Sequence, residues 1–153
     1  MRRALLVAAA ALLSLGAGEG PLRVETLAGD PVELALAPGE AALVAHFWAT
    51  WCPDCTTELA DFARAASACG AARVRVVCVN VGEPRDEVER FAARHAPGLA
   101  VLRDPDGRAW RQVSGAGLPL HVVWTPTGRR VELGAKSAAE WRRVLAELGC
   151  AGG

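Results

Sequence analysis

The chain has 153 residues, 52% of them hydrophobic, which is enough apolar side chain for one good-sized core, and its length favours a single domain. Lysine plus arginine number 17, as do aspartate plus glutamate, so no net field draws the protein onto nucleic acid or an anionic membrane. A nucleic-acid partner is set aside on that ground.

Met1-Arg2-Arg3 precedes an apolar run from Ala4 to Ala17, followed by small residues and the first acid, Glu19. This reads as a secretory signal peptide over residues 1–18. The run is shorter than the ~20 residues of a spanning helix, so a retained anchor is the weaker alternative and the mature form is expected to have no membrane span. No cysteine follows the run, which argues against a lipoprotein, and the arginine pair lacks a twin-arginine context. Five cysteines in an exported chain imply an oxidising compartment, periplasmic or otherwise extracytoplasmic, and the odd count leaves at least one unpaired. The folded domain is expected over residues 20–149, with 150–153 as a short tail.

Leu22–Thr26 and Val32–Leu34 alternate on either side of Gly29-Asp30-Pro31, the pattern of a hairpin. Ala42–Trp48 is nearly all apolar, as in a strand covered on both faces. A helix is predicted to start at Cys52, with Pro53 at the first helical position, and to run through Leu59, Phe62, Ala66 and Cys69 to Gly70. Val74–Val81 is a second buried strand, Pro84–His95 an amphipathic helix, and Leu99–Leu102 a short strand ending at the Asp104-Pro105-Asp106-Gly107 turn. Leu120–Trp124 and Arg130–Leu133 form a hairpin around Thr125-Pro126-Thr127-Gly128, and Ser137 caps a last helix through Leu148.

The segment Phe47-Trp48-Ala49-Thr50-Trp51-Cys52-Pro53-Asp54-Cys55 carries the chemistry. Two cysteines separated by two residues can exchange a disulfide with another protein. A thiolate rather than a thiol attacks a disulfide, and Cys52 at a helix N-terminus has unpaired N–H groups and the positive end of the dipole to stabilise it. Cys55, one turn further in, would resolve the mixed disulfide. Zinc would need a second ligand pair, whereas Cys69, Cys78 and Cys150 stand singly, so no metal is assigned. The redox-active disulfide is the only cofactor expected. Asp54 either opposes the thiolate and tilts the pair toward reduction, or is an ordinary acid at a helix start.

These motifs, with Val79-Asn80-Val81-Gly82-Glu83, Asp104-Pro105-Asp106-Gly107 and Gly117-Leu118-Pro119 before a strand, resemble the TlpA/ResA branch of the thioredoxin superfamily. The resemblance spans residues 22–148. It implies an α/β thioredoxin fold, a central mixed sheet with helices on both faces, extended by an N-terminal β-hairpin. It also implies an exported thiol-disulfide oxidoreductase acting on protein thiols and disulfides and supplied by an upstream membrane reductant, often in cytochrome c maturation or copper-site assembly.

Pro119 matches the family's cis-proline beside the active-site disulfide, which makes Leu118 a substrate contact. Glu58 matches a glutamate that tunes the cysteines and meets substrate, although Ala60 replaces the proline usual two residues later. His46 stands six residues before Cys52, where thioredoxins carry a buried aspartate; it is read either as a proton relay to Cys55 or as a core histidine. Trp48 and Trp51 are expected around the site, Trp51 the more exposed, while His121 is read as structural or peripheral. In the implied fold the active-site and last helices lie side by side, which makes a Cys69–Cys150 disulfide feasible, and Cys78 is a buried apolar residue. A copper-carrying protein using Cys52, Cys55 and a histidine is the alternative. A peroxidase is disfavoured by the missing threonine, proline and arginine surroundings of a peroxidatic cysteine.

Overall fold

The computed structural model describes residues 20–70 and 73–150. The leader read over residues 1–18 lies outside them. Among the described residues, seven strands form one sheet in the order β2-β1-β5-β4-β3-β6-β7. These are β1 (Leu22–Thr26), β2 (Pro31–Leu34), β3 (Ala42–Trp48), β4 (Val74–Val81), β5 (Ala100–Asp104), β6 (Leu120–Thr125) and β7 (Gly128–Leu133). Strands β3, β4 and β5 run parallel; β1 against β5, and β6 against β3, run antiparallel. The helices of the described residues are α1 (Pro53–Ala66), α2 (Arg85–His95), α3 (Arg108–Val113) and α4 (Ala138–Glu147), with a 3-10 turn Ser67–Cys69 continuing α1.

Every residue of β3 is buried, because this central strand is covered on both faces. Its side chains alternate strictly. Ala42, Val44 and Trp48 face the core built with Leu59 and Phe62 of α1, Val88 of α2 and Trp141 and Leu145 of α4, whereas Leu43, Ala45 and Phe47 face Ala109 of α3 and the hairpin residues Leu22, Val24 and Leu34. His46 takes the first of these faces, with its ring centroid 5.0 Å from Phe62 and 6.4 Å from Trp141.

Helix α4 opens on the predicted Ser137, which makes a full capping box with Glu140. The element the sequence did not announce is α3. Only six residues long, it has no side-chain cap at Gly107; instead the buried Asp104 carboxylate reaches forward to accept the Ala109 and Trp110 amides. Burial raises that carboxyl above its usual range, with the two amides opposing.

At the hairpin side, Arg75 of β4 grips both carboxylate oxygens of Glu40, at 2.7 and 3.1 Å. This charged fork holds Glu40 below the usual carboxylate range, so the pair is fully stabilising above the ordinary value and loses its contribution as the pH falls. Arg75→Gln is expected to cost about 1 kcal/mol or less at neutral pH and less as the pH falls and Glu40 is protonated, the bond to the Ala35 carbonyl remaining, read from urea unfolding over an acidic pH series. At the end of the sheet away from Trp48, Arg129 Nη1 donates to the Gly20 carbonyl at 3.3 Å.

Candidate active site

Cys52 caps α1. Its backbone is extended, Pro53 occupies the first helical turn where a missing N–H costs nothing, and the Cys55 amide donates to Cys52 Sγ at 3.3 Å. That amide favours negative charge on the sulfur once the pair is reduced. In the structure Cys52 and Cys55 are joined, with their Cα atoms 5.2 Å apart. Cys55 is fully buried and Cys52 nearly so, while Trp51, 69% exposed, Pro53 and Asp54 form the rim in solvent. The Leu118–Pro119 peptide is cis, and the Pro119 carbonyl accepts the Gly134 amide at the end of β7. Leu118 is half-buried against both cores.

The loop before Cys52 is held by residues whose part the sequence did not reveal. The buried Glu83 carboxylate accepts the Thr50 amide at 2.8 Å, the Thr50 hydroxyl and the Asn80 side-chain amide. Thr50 thereby ties the chain entering α1 to the end of β4. Glu83→Ala would leave the buried Asn80 amide and the Thr50 N–H without partners. It is expected to cost about 2–3 kcal/mol and to slow disulfide exchange through a loosened Cys52, measured by urea unfolding and by insulin reduction.

Beneath the cysteines lies a second polar group. Glu58, three residues after Cys55, is only 2% exposed and faces inward, so it offers no surface for a substrate to touch. Its Oε1 accepts Trp141 Nε1 at 2.6 Å and the Lys136 amide at 2.9 Å, and lies 3.0 Å from His121 Nε2. Its Oε2 is 3.9 Å from His46 Nδ1. His121 is therefore central rather than peripheral. It is the cross-strand partner of His46 in the β3–β6 ladder, with the two rings stacked at 5.0 Å. Burial, with His121 and Lys136 nearby, holds His46 well below the ordinary histidine value, so it is neutral at physiological pH.

Cys69, in the turn after α1, is disulfide-bonded to Cys150, just beyond α4. Both are buried, so Cys150 belongs to the packed domain rather than to a loose tail. Cys78 is a free, buried thiol, and burial pushes it up to about 12. Asp54 sits exposed in the first turn of α1.

A mixed sheet with this order, a helix-capping C-x-x-C disulfide and a cis-proline just before β6 together define a thioredoxin-fold protein. Residues 20–126 match the AhpC/TSA family. The chain belongs to that family, and it is of the TlpA/ResA-like kind.

Among its relatives are the thiol-disulfide oxidoreductase ResA of Halalkalibacterium halodurans, 28% identical over 53% of this chain and 46% of that protein, and the thiol:disulfide interchange protein DsbE of Allochromatium vinosum, 32% identical over 70% and 59%. The chain thus spans about half the length of these curated relatives. A secreted Mycobacterium tuberculosis disulfide oxidoreductase homologous to E. coli DsbE superposes with a TM-score of 0.72 and 25% identity, covering 82% of this chain and 94% of that one. MTB DsbF superposes with a TM-score of 0.75 at 24% identity, covering 88% and 99%. Among the described residues, no helix is long and apolar enough to cross a membrane.

Proposed function

We propose that the protein is an exported thiol-disulfide oxidoreductase that reduces disulfides in extracytoplasmic proteins. The observation that carries this reading is the Cys52–Cys55 pair at the N-terminus of α1, in a chain that also has the cis-Leu118–Pro119 bond. In the reduced form the Cys52 thiolate attacks a substrate disulfide, forming a mixed disulfide and releasing one substrate thiolate. Cys55 then loses its proton and attacks Cys52 Sγ, which re-forms the Cys52–Cys55 bond and frees the second substrate thiolate. Two electrons pass to the substrate, and an upstream membrane thiol reductant restores the pair.

The cysteines of apocytochrome c or of a copper site are the substrates this assignment favours. Leu118 and Pro119 take the extended substrate chain, Trp51 borders it, and Asp54 disfavours a strongly oxidising pair. His46 and Glu58 supply the polar surroundings in which Cys55 exchanges its proton.

Equilibrating the pair against glutathione and dithiothreitol buffers tests the direction. A potential near about −270 mV supports a reductant, and one near about −120 mV reverses the role. Stoichiometric Cu(I) binding at Cys52 and Cys55 without insulin reduction would replace this reading by a copper carrier.

A further inference from the structure

Glu58 hangs from α1 over two histidines that project from adjacent antiparallel strands, His46 on β3 and His121 on β6. One nitrogen from each imidazole and one carboxylate oxygen lie within 4.8 Å of one another, and all three residues are buried. None of the four imidazole nitrogens makes a hydrogen bond of good geometry, and Glu58 Oε2 has no partner, although Oε1 is supplied by Trp141 and Lys136. Buried polar atoms left unpaired in such number call for a partner, and an ion is one that satisfies several at once.

We propose that His46, His121 and Glu58 form a site for a zinc-class divalent transition ion, separate from the Cys52–Cys55 pair. Two imidazoles and a carboxylate suit such ions, whereas magnesium and calcium prefer all-oxygen sets. Ligand atoms around a tetrahedral zinc stand about 3.3 Å apart for bonds of ~2.0–2.1 Å. His121 Nε2 lies 3.0 Å from Glu58 Oε1 and His46 Nδ1 3.9 Å from Oε2, so each imidazole faces its own carboxylate oxygen. One donor atom from each residue lies within 4.8 Å of the others, and an ion between them would draw the three side chains together. Phe62 and Trp141 wall the imidazoles, the Trp141 ring standing edge-on to His121 at 4.7 Å, and the Trp141 indole and Lys136 amide steady the carboxylate from outside. Three protein donors leave a fourth position open. Cys78, the register partner of His46 on β4, is the one thiol on this face that neither disulfide occupies.

The test uses the oxidised full chain, in which both disulfides keep four of the five sulfurs from ligating. Calorimetric titration with Zn2+ and visible absorption with Co2+ are expected to show one equivalent bound, with ligand-field bands of a nitrogen–oxygen site. His46→Gln and His121→Gln are each expected to weaken binding by more than about 100-fold, beyond what losing an outer-shell partner does, while Cys78→Ser leaves it unchanged. Because a core histidine variant can fail to fold, the wild-type side-chain nitrogen NMR spectrum gives a second readout. Zn2+ should move the His46 and His121 resonances and leave the exposed His95 in place. No binding to the oxidised wild type, binding that survives both histidine substitutions, binding lost in Cys78→Ser, or a zinc-induced shift confined to His95 overturns the proposal. None of these results depends on the redox activity of Cys52 and Cys55.

Discussion

Cys55→Ser is expected to trap the substrate on Cys52 as a stable mixed disulfide, whereas Cys52→Ser should form no adduct, and both variants should reduce insulin only at background rate. The asymmetry follows from the helix terminus. Cys52 is the cap residue, it receives the Cys55 amide, and it retains a small exposed area, whereas Cys55 lies a turn inside and has none. The outer sulfur is the one an incoming disulfide can meet, and the inner one can then reach only its neighbour. Mass spectrometry of non-reduced reaction mixtures checks the result. An adduct on Cys55, or equal trapping by the two variants, would mean that the roles are reversed or shared.

Removing the second disulfide has the largest expected effect on stability. Cys69 and Cys150 are 81 residues apart in sequence, and in the chain-entropy picture closing so long a loop stabilises the fold by about 4–5 kcal/mol. The Cys69→Ala/Cys150→Ala double variant is therefore expected to melt on the order of 10–20 °C lower. Thermal unfolding followed by circular dichroism measures this. The two bonds can be separated by adding dithiothreitol to a Cys52→Ala/Cys55→Ala protein, which should still lose that stability. Insulin reduction by the double variant at a temperature where it remains folded should be unchanged, since the bridge lies at the far ends of α1 and α4. A melting point within a few degrees of wild type would show that packing of α1 on α4 suffices without the bond.

Much of this architecture was legible because the signals were local. Pro53 after Cys52 marks a helix start, the nearly all-apolar run Ala42–Trp48 marks a central strand, and Ser137 marks the last cap. The features that escaped depend on contacts distant in sequence. Helix α3 is capped by Asp104 from outside its own first turn, so the Asp104–Gly107 segment read as a turn and nothing more. His121 looked peripheral because its importance rests on the β3–β6 register, which places it opposite His46; no property of residues 117–125 states that pairing. Glu83 stood inside a quoted motif, yet its bonds run 33 residues back to Thr50. Glu58 matches a glutamate that meets substrate, but only the packing of α4 shows it sealed from substrate by Trp141 and Lys136.

The Cys69–Cys150 bond also sets which way the domain faces. β3 points its Trp48 end toward Cys52, and β6 runs back from Leu120 beside Phe47 to Thr125 beyond Leu43, so the β6–β7 turn marks the opposite pole. α1 leaves Cys52 for Cys69 and α4 leaves the Glu58 level for Cys150, so the described chain ends away from the redox pair. A tether or fusion joined after Cys150 would accordingly hold the domain by its back and turn Trp51 and Cys52 outward, free to meet a client approaching from the open side.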